Sequence, residues 1–130
     1  MLNRALSDSE RSILMAGFID KDEDRKQNKT YQRTTPDILS AFQTWENAVF
    51  ASPDREIPRK YIELIAVTVA LTTQCGYCID AHSKAAVKHG ASETEIAETA
   101  WIAAGMRAGA AYAHGWLALR LGDEEAHKHL

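Results

Sequence analysis

Residues 58–90, PRKYIELIAVTVALTTQCGYCIDAHSKAAVKHG, constrain the chain more than any other stretch. Pro58 opens a run reaching Thr73 that is apolar on most faces, with Ile62, Ile65, Ala66 and Val69 prominent. A proline start suits a helix, whose first N–H has no partner to lose. The β-branched residues also fit a strand, but the length of the run and its opening favour helix. Such a helix belongs in a core or an interface. Within it Glu63 is the sole acidic or basic residue between Lys60 and Asp80. Residues 74–76 form the exit, Cys78 to His89 read as the next helix, and Gly90 stands just past its end.

The rest of the chain carries helical signals. Ser7-x-x-Glu10 has the form of a capping box before Ile13, Leu14 and Phe18. The polar run from Asp20 to Lys29 reads as a solvated helix end or a loop. Thr35-Pro36 opens a helix striped by Ile38, Phe42, Trp45 and Val49, and Ser52 to Pro58 break it. Ser92-x-x-Glu95 is a second capping box, leading into Ile96, Ala100 and Ala103. The stretch 103–115, AAGMRAGAAYAHG, is nearly all small residues. Gly105 is expected to bend or divide this helix, since glycine costs about 1 kcal/mol against alanine there. A last helix then runs to Leu121, with Gly122 as its stop and DEEAHKHL as a frayed tail. The expected fold class is all-α: one domain over residues 1–130, a bundle of about six helices.

Charge and hydropathy exclude several partners. A formal net charge of −3 and a pI near 5.9 give no electrostatic reason to expect nucleic acid or an anionic membrane. No stretch reaches the roughly 18 uninterrupted apolar residues of a membrane span. The charged N-terminus lacks the apolar centre of a signal peptide, so a cytoplasmic location is expected. In that reducing compartment two cysteines three apart point to a redox pair or a metal half-site more than to a structural staple.

On a helix at about 100° per residue, Cys78 lies about 60° to one side of Cys75, and His82 about 20° to the same side. If Cys75 occupies the first turn, free N–H groups and the positive helix end favour a thiolate there. His82, one turn beyond Cys78, can exchange a proton with it or with a bridging water. Buried carboxylates are costly unless paired, so Glu63 is either a general base or a core ion-pair partner of Arg59 or Arg107. In a hairpin turning near residue 75, Glu63 stands roughly 15 Å down one helix and His82 about 10 Å down the other. One water is expected to bridge that offset. A metal site from Cys75, Cys78, His82 and Glu63 is conceivable, but the second Cys or His pair of ordinary zinc sites is missing. Packing is the simpler role for Tyr112 and His114. His89 is a helix-end residue, and His127 and His129 belong to the tail. Trp45, Trp101 and Trp116 read as core or interface anchors.

Glu-x11-Cys-x2-Cys-x3-His, here Glu63, Cys75, Cys78 and His82, resembles the core motif of the alkyl hydroperoxidase D / carboxymuconolactone decarboxylase-like family. The likeness extends over residues 36–119, with residues 1–35 as an N-terminal helix and polar linker. It implies an all-helical oligomer, a trimer or a hexamer, with no organic cofactor and no metal. It further implies that Cys78 attacks a hydroperoxide and that Cys75 resolves the sulfenic acid and exchanges with a dithiol or protein thiol reductant. Glu63 and His82 relay protons through water, with Tyr77 and His114 as auxiliary candidates. A helix N-terminus taken alone favours Cys75 as the attacking thiol, so the order stays open. Tyr77 stands where peroxidase members carry a histidine, and a phenol is a poor base near neutral pH. The decarboxylase branch lacks the thiol pair, so lactone chemistry is not carried over. The same residues also fit an electron carrier or redox sensor for a peroxiredoxin-like partner, or a non-redox member binding a small ligand.

Overall fold

The structure, a computed structural model, describes residues 21–128. The capping box expected at Ser7 and the helix after it lie outside the described residues. Among the described residues every regular element is an α-helix, and the fold class is all-α as expected. The chain groups into two compact units that meet in sequence between Asp54 and Arg55.

The first unit holds α1 (Lys21–Lys26), α2 (Asn28–Thr34) and α3 (Pro36–Phe50). The polar run ending at Lys29 is thus helical and broken near Gln27, rather than a loop. An ion pair between Glu23 and Lys26, one turn apart, supports it. Pro36 sits at the start of α3, as its fixed φ favours. The α3 stripe is real but uncovered. Ile38, Phe42 and Trp45 are more than half exposed, and the Phe42 and Trp45 rings lie 5.9 Å apart.

The second unit holds α4 (Arg59–Thr73), α5 (Gly76–Lys88) and α6 (Glu93–His127), with α4 packed against both others. Pro58 caps α4 rather than starting it. One face of α4 is buried through Glu63, Val67 and Ala70, a spacing of four and three. Ala86 from α5, Thr99 and Ala103 from α6, and Ala91 between them close around it. These are small side chains, so the backbones approach closely and the core is thin. The opposite face of α4, with Tyr61, Ile65 and Val69, is about half exposed. The helix expected in a core or an interface therefore buries one face within the isolated chain and leaves the other apolar face exposed.

Two tight helix ends shape this unit. Gln74 closes α4 in the left-handed region at φ 58°, and the Cys75 N–H returns to the Ala70 carbonyl at 3.0 Å. Past α5, Gly90 takes φ 90°, the Gly90 N–H reaches Val87 O at 3.0 Å, and the Ala91 N–H reaches Ala86 O at 2.9 Å. That pairing is a Schellman ending, with glycine where a side chain would be strained.

The C-terminal third departs from expectation. Gly105 does not divide α6 into two helices, Gly122 does not stop it, and the presumed tail stays helical to His127. Ala103, Ala104 and Ala108 around Gly105 offset its conformational cost. Ion pairs one turn apart, Arg120 with Glu124 and Asp123 with His127, carry the helix past Gly122.

Candidate functional site

The α4–α5 hairpin assembles the site, beginning with a carboxylate taken wholly out of water. Glu63 is 0% exposed, and each of its oxygens has a separate partner. Oε1 accepts from the Arg59 guanidinium Nε, one turn earlier in α4. Oε2 lies 2.7 Å from Nδ1 of His82 on α5. Burial without such partners would be strongly unfavourable. Contact with His82 is direct, and no bridging water is needed. The two long side chains lean toward one another and span the roughly 5 Å offset left by helical rise.

The sulfurs lie at the tip of the same hairpin. Cys75 is not on the helix: it is the N-cap of α5, extended at φ −88° and ψ 94°. Its Sγ accepts the Cys78 N–H at 3.3 Å, the bond a serine hydroxyl would make at a helix start. Cys75 and Cys78 form a disulfide with their Cα atoms 5.3 Å apart. The single stripe expected for three residues therefore reduces to Cys78 and His82, one turn apart on α5. Cys75 faces the helix end instead, where free N–H groups and the positive dipole favour negative charge on sulfur once the bond is reduced. Tyr77 sits between the cysteines and is about half exposed.

Each expected residue has a place. Glu63 and His82 meet, and Cys75 and Cys78 are joined. Of the two arginines weighed as partners for Glu63, Arg59 takes the role. Arg107 instead donates through Nη1 to the Thr72 carbonyl at 2.7 Å, in the last turn of α4. His114 lies on an exposed stretch of α6, and Tyr112 packs edge-on against Trp116 with centroids 5.5 Å apart. Tyr112 therefore packs only against Trp116 of its own helix, and His114 is exposed in the single chain. Trp45, Trp101 and Trp116 are exposed as well, so none of them anchors this chain's own core.

The two sulfurs are thus bonded to each other, and Glu63 is held between Arg59 and His82. Among the described residues no group of three or more His, Cys, Asp or Glu side chains is gathered to hold a metal ion.

A second polar link steadies the hairpin against α6. Ser92 and Glu95 form the capping box expected from the sequence, with Ser92 N–H to Glu95 Oε2 at 2.8 Å and Glu95 N–H to Ser92 Oγ at 3.1 Å. Glu95 Oε1 also accepts from Lys60 Nζ on α4 at 2.7 Å. The Lys60 hydrogen bond, and then that from Ser92, hold the Glu95 carboxyl below its ordinary range. The same bond to Glu95 raises the Lys60 ammonium.

The chain is similar to known proteins in both sequence and fold. The sequence pattern of the carboxymuconolactone decarboxylase family matches residues 36–121. A Paracoccus denitrificans protein described as uncharacterized protein 4 in the cox locus is 46% identical over 92 residues, covering 71% of this chain and 81% of its own. Two crystal structures share the fold. An apo-form carboxymuconolactone decarboxylase family protein from Legionella pneumophila aligns with a TM-score of 0.58 at 29% identity, over 65% of this chain and 74% of that one. A Methanobacterium thermoautotrophicum protein aligns at 0.60 and 27% identity, over 66% and 97%.

Proposed function

Since this chain belongs to the carboxymuconolactone decarboxylase family, we propose that it is a thiol-dependent antioxidant enzyme that reduces hydroperoxides through Cys75 and Cys78. The observation that carries the reading is the Cys75–Cys78 disulfide at the start of α5, one turn from a histidine bonded to a buried carboxylate. A structural disulfide would not need that proton-handling pair beside it.

The chemistry closes as follows. The Cys78 thiol gives up its proton toward His82, and the thiolate attacks the distal peroxide oxygen. The O–O bond breaks, the alcohol leaves with a proton, and Cys78 becomes a sulfenic acid. The Cys75 thiolate attacks that sulfur, water leaves, and the disulfide forms. An external dithiol or protein thiol then exchanges with Cys75 and returns both sulfurs to thiols, being oxidised itself. The cycle requires no organic cofactor or metal, and a reducing cytoplasm would supply the donor.

Tyr77 favours a second reading, in which the protein is a disulfide reductase or electron carrier for a peroxiredoxin-like partner. Tyr77 stands between the two cysteines in sequence, is about half exposed, and carries a phenol that is a weak base at neutral pH. A peroxide-consumption assay with a dithiol donor, run on wild type and Cys78→Ser, separates the two. Steady consumption lost in the variant supports the peroxidase. Reduction of a partner's disulfide without peroxide consumption supports the carrier. Function retained with both cysteines as serine would leave only a non-redox, ligand-binding role.

The same reading includes assembly as a homo-oligomer. Tyr61, Ile65 and Val69 on α4, with Trp101, Ile102 and Met106 on α6, are about half exposed or more. Sedimentation at micromolar concentration tests it, and a monomer would end it.

A further inference from the structure

The outer face of α6 is apolar, and no element of its own unit covers it. Two contacts fix how α6 lies on α4: Lys60 with Glu95 and Thr72 with Arg107, the partners thirty-five residues apart in each. The helices therefore run parallel, with Thr99 and Ala103 buried between these contacts. At about 100° per residue, Trp101 and Leu119 point the same way, and Ala108 and Tyr112 lie within about 20° of that direction. Thr99 and Ala103 point about 160° away from it. Trp101, Tyr112 and Leu119 are 75%, 71% and 75% exposed.

This face is complementary to itself in size and in charge. A second α6 turned end for end about residue 110 sets Trp101 opposite Leu119 and Tyr112 opposite Ala108, a large side chain against a smaller one each time. Two-fold symmetry repeats both pairs on the other side of the axis. Glu98 has no ion-pair partner among the described residues. It lies about 18 Å along the helix on one side of residue 110, and Arg120 about 15 Å on the other. Both stand on the same flank of the stripe, about 60° and 100° to one side of Trp101. The same turn therefore brings each Glu98 beside the partner's Arg120. Arg120 donates from Nη1 to its own Glu124, and its guanidinium keeps further donors. Covering Trp101, Tyr112 and Trp116 removes about 150 Å² apiece from water. That is about half of the roughly 800 Å² per partner that a stable interface buries, and Leu119 and the alanines of the stripe add to it.

We propose that α6 pairs antiparallel with α6 of a second copy of the chain about residue 110, with Tyr112 of each copy seated on Ala108 of the other. This rests on the homo-oligomer reading above and on neither the thiol chemistry nor the substrate. It selects the outer face of α6 over the exposed face of α4 that carries Tyr61, Ile65 and Val69. Thr72, next to Arg107, is three residues before Cys75, so the two-fold axis passes at about the level of the hairpin tip. The disulfides of the two copies then stand at equal height on opposite sides of the paired helices.

The test is a size swap in the full chain, read by sedimentation equilibrium. Ala108→Tyr crowds the partner's Tyr112, and Tyr112→Ala leaves a gap above the partner's Ala108. Each is expected to raise the dissociation constant of the pair at least about tenfold. The double variant exchanges the two sizes and is expected to return to within about threefold of wild type. Both positions are exposed in the single chain, so its fold does not depend on them. Spin labels read the direction of the pairing, with the native cysteines kept as their disulfide. A nitroxide at Ala97 should lie about 39 Å along the helix from its mate on the other copy, and one at Ala113 about 9 Å. A separation at Ala97 no longer than that at Ala113 overturns the proposal. So do single variants that associate like wild type, or a double variant as weak as the singles. Those three results leave standing a homo-oligomer built on another face, such as that of α4. A wild type that sediments as a monomer at micromolar concentration overturns both readings.

Discussion

Glu63 and His82, nineteen residues apart, are joined across the α4–α5 hairpin by a 2.7 Å contact between Oε2 and Nδ1. This contact fixes the depth at which the second helix returns past the first. It also joins the buried carboxylate to the element that carries the sulfurs.

Glu63→Gln tests the contact most directly. An amide offers one acceptor and one donor. With its oxygen toward Arg59, its NH2 group confronts Nδ1 and forces the opposite histidine tautomer. Alkylation of the reduced protein near neutral pH should slow markedly, as iodoacetamide rates across pH would show. An unchanged curve would make Glu63 an ion-pair partner of Arg59 and nothing more.

Serine substitutions separate the two sulfurs. Cys78→Ser should abolish peroxide consumption. Cys75→Ser should allow one turnover and leave a sulfenic acid on Cys78 that a dimedone-type trap labels, as mass spectrometry of the intact chain would reveal. Labelling on Cys75 in Cys78→Ser, with none in Cys75→Ser, would reverse the order. The N-cap bond from the Cys78 N–H to Cys75 Sγ gives that reversal a physical basis.

What the sequence made legible, and what it did not, divides by the range of the interaction. The Ser92–Glu95 capping box, the Gly90 ending and the proline openings are decided within a turn of chain, and each could be read locally. Glu63 was singled out by its isolation in an apolar run, a one-dimensional signal that burial confirms. The direct Glu63–His82 contact was missed because helical rise gives an offset along the axis and nothing about side-chain lean. Cys75 was read as part of the preceding helix's exit, or else as a first-turn residue, and its place as the N-cap was missed because cysteine is not among the residues that usually cap a helix. The unity of α6 was missed because Gly105 and Gly122 were weighed singly, whereas alanine propensity and the ion pairs near residue 124 act over the whole helix.

Lys60→Met should change how stability depends on pH. The Glu95 carboxyl lies below its usual 4.5, so the link's contribution is present above that value and fades as pH falls through the folded-state value. The Lys60 ammonium lies above its usual 10.5, so the contribution is present below that value and fades as pH rises through the folded-state value. The link is thus complete between these limits and absent beyond them. Melting temperatures of the variant should fall below wild type across the plateau and converge with it in acid and in strong alkali. A constant difference at every pH would show that Lys60 acts through packing of its stem.

Two glycine-to-alanine changes should move stability in opposite directions. At Gly105 an added methyl meets nothing within 4 Å, and the backbone is already helical. Gly105→Ala should therefore stabilise α6 by about 0.5–1 kcal/mol, chiefly by restricting the unfolded chain. At Gly90 the space is equally open, but φ is 90°. Gly90→Ala should cost about 1 kcal/mol or more, since a Cβ there strains the backbone. Urea unfolding of the two variants supplies both numbers. A destabilising Gly105→Ala would mean that another surface approaches this stretch of α6 closely enough to exclude a methyl group, and comparing the variant's sedimentation with wild type would show whether that surface belongs to a second copy of the chain.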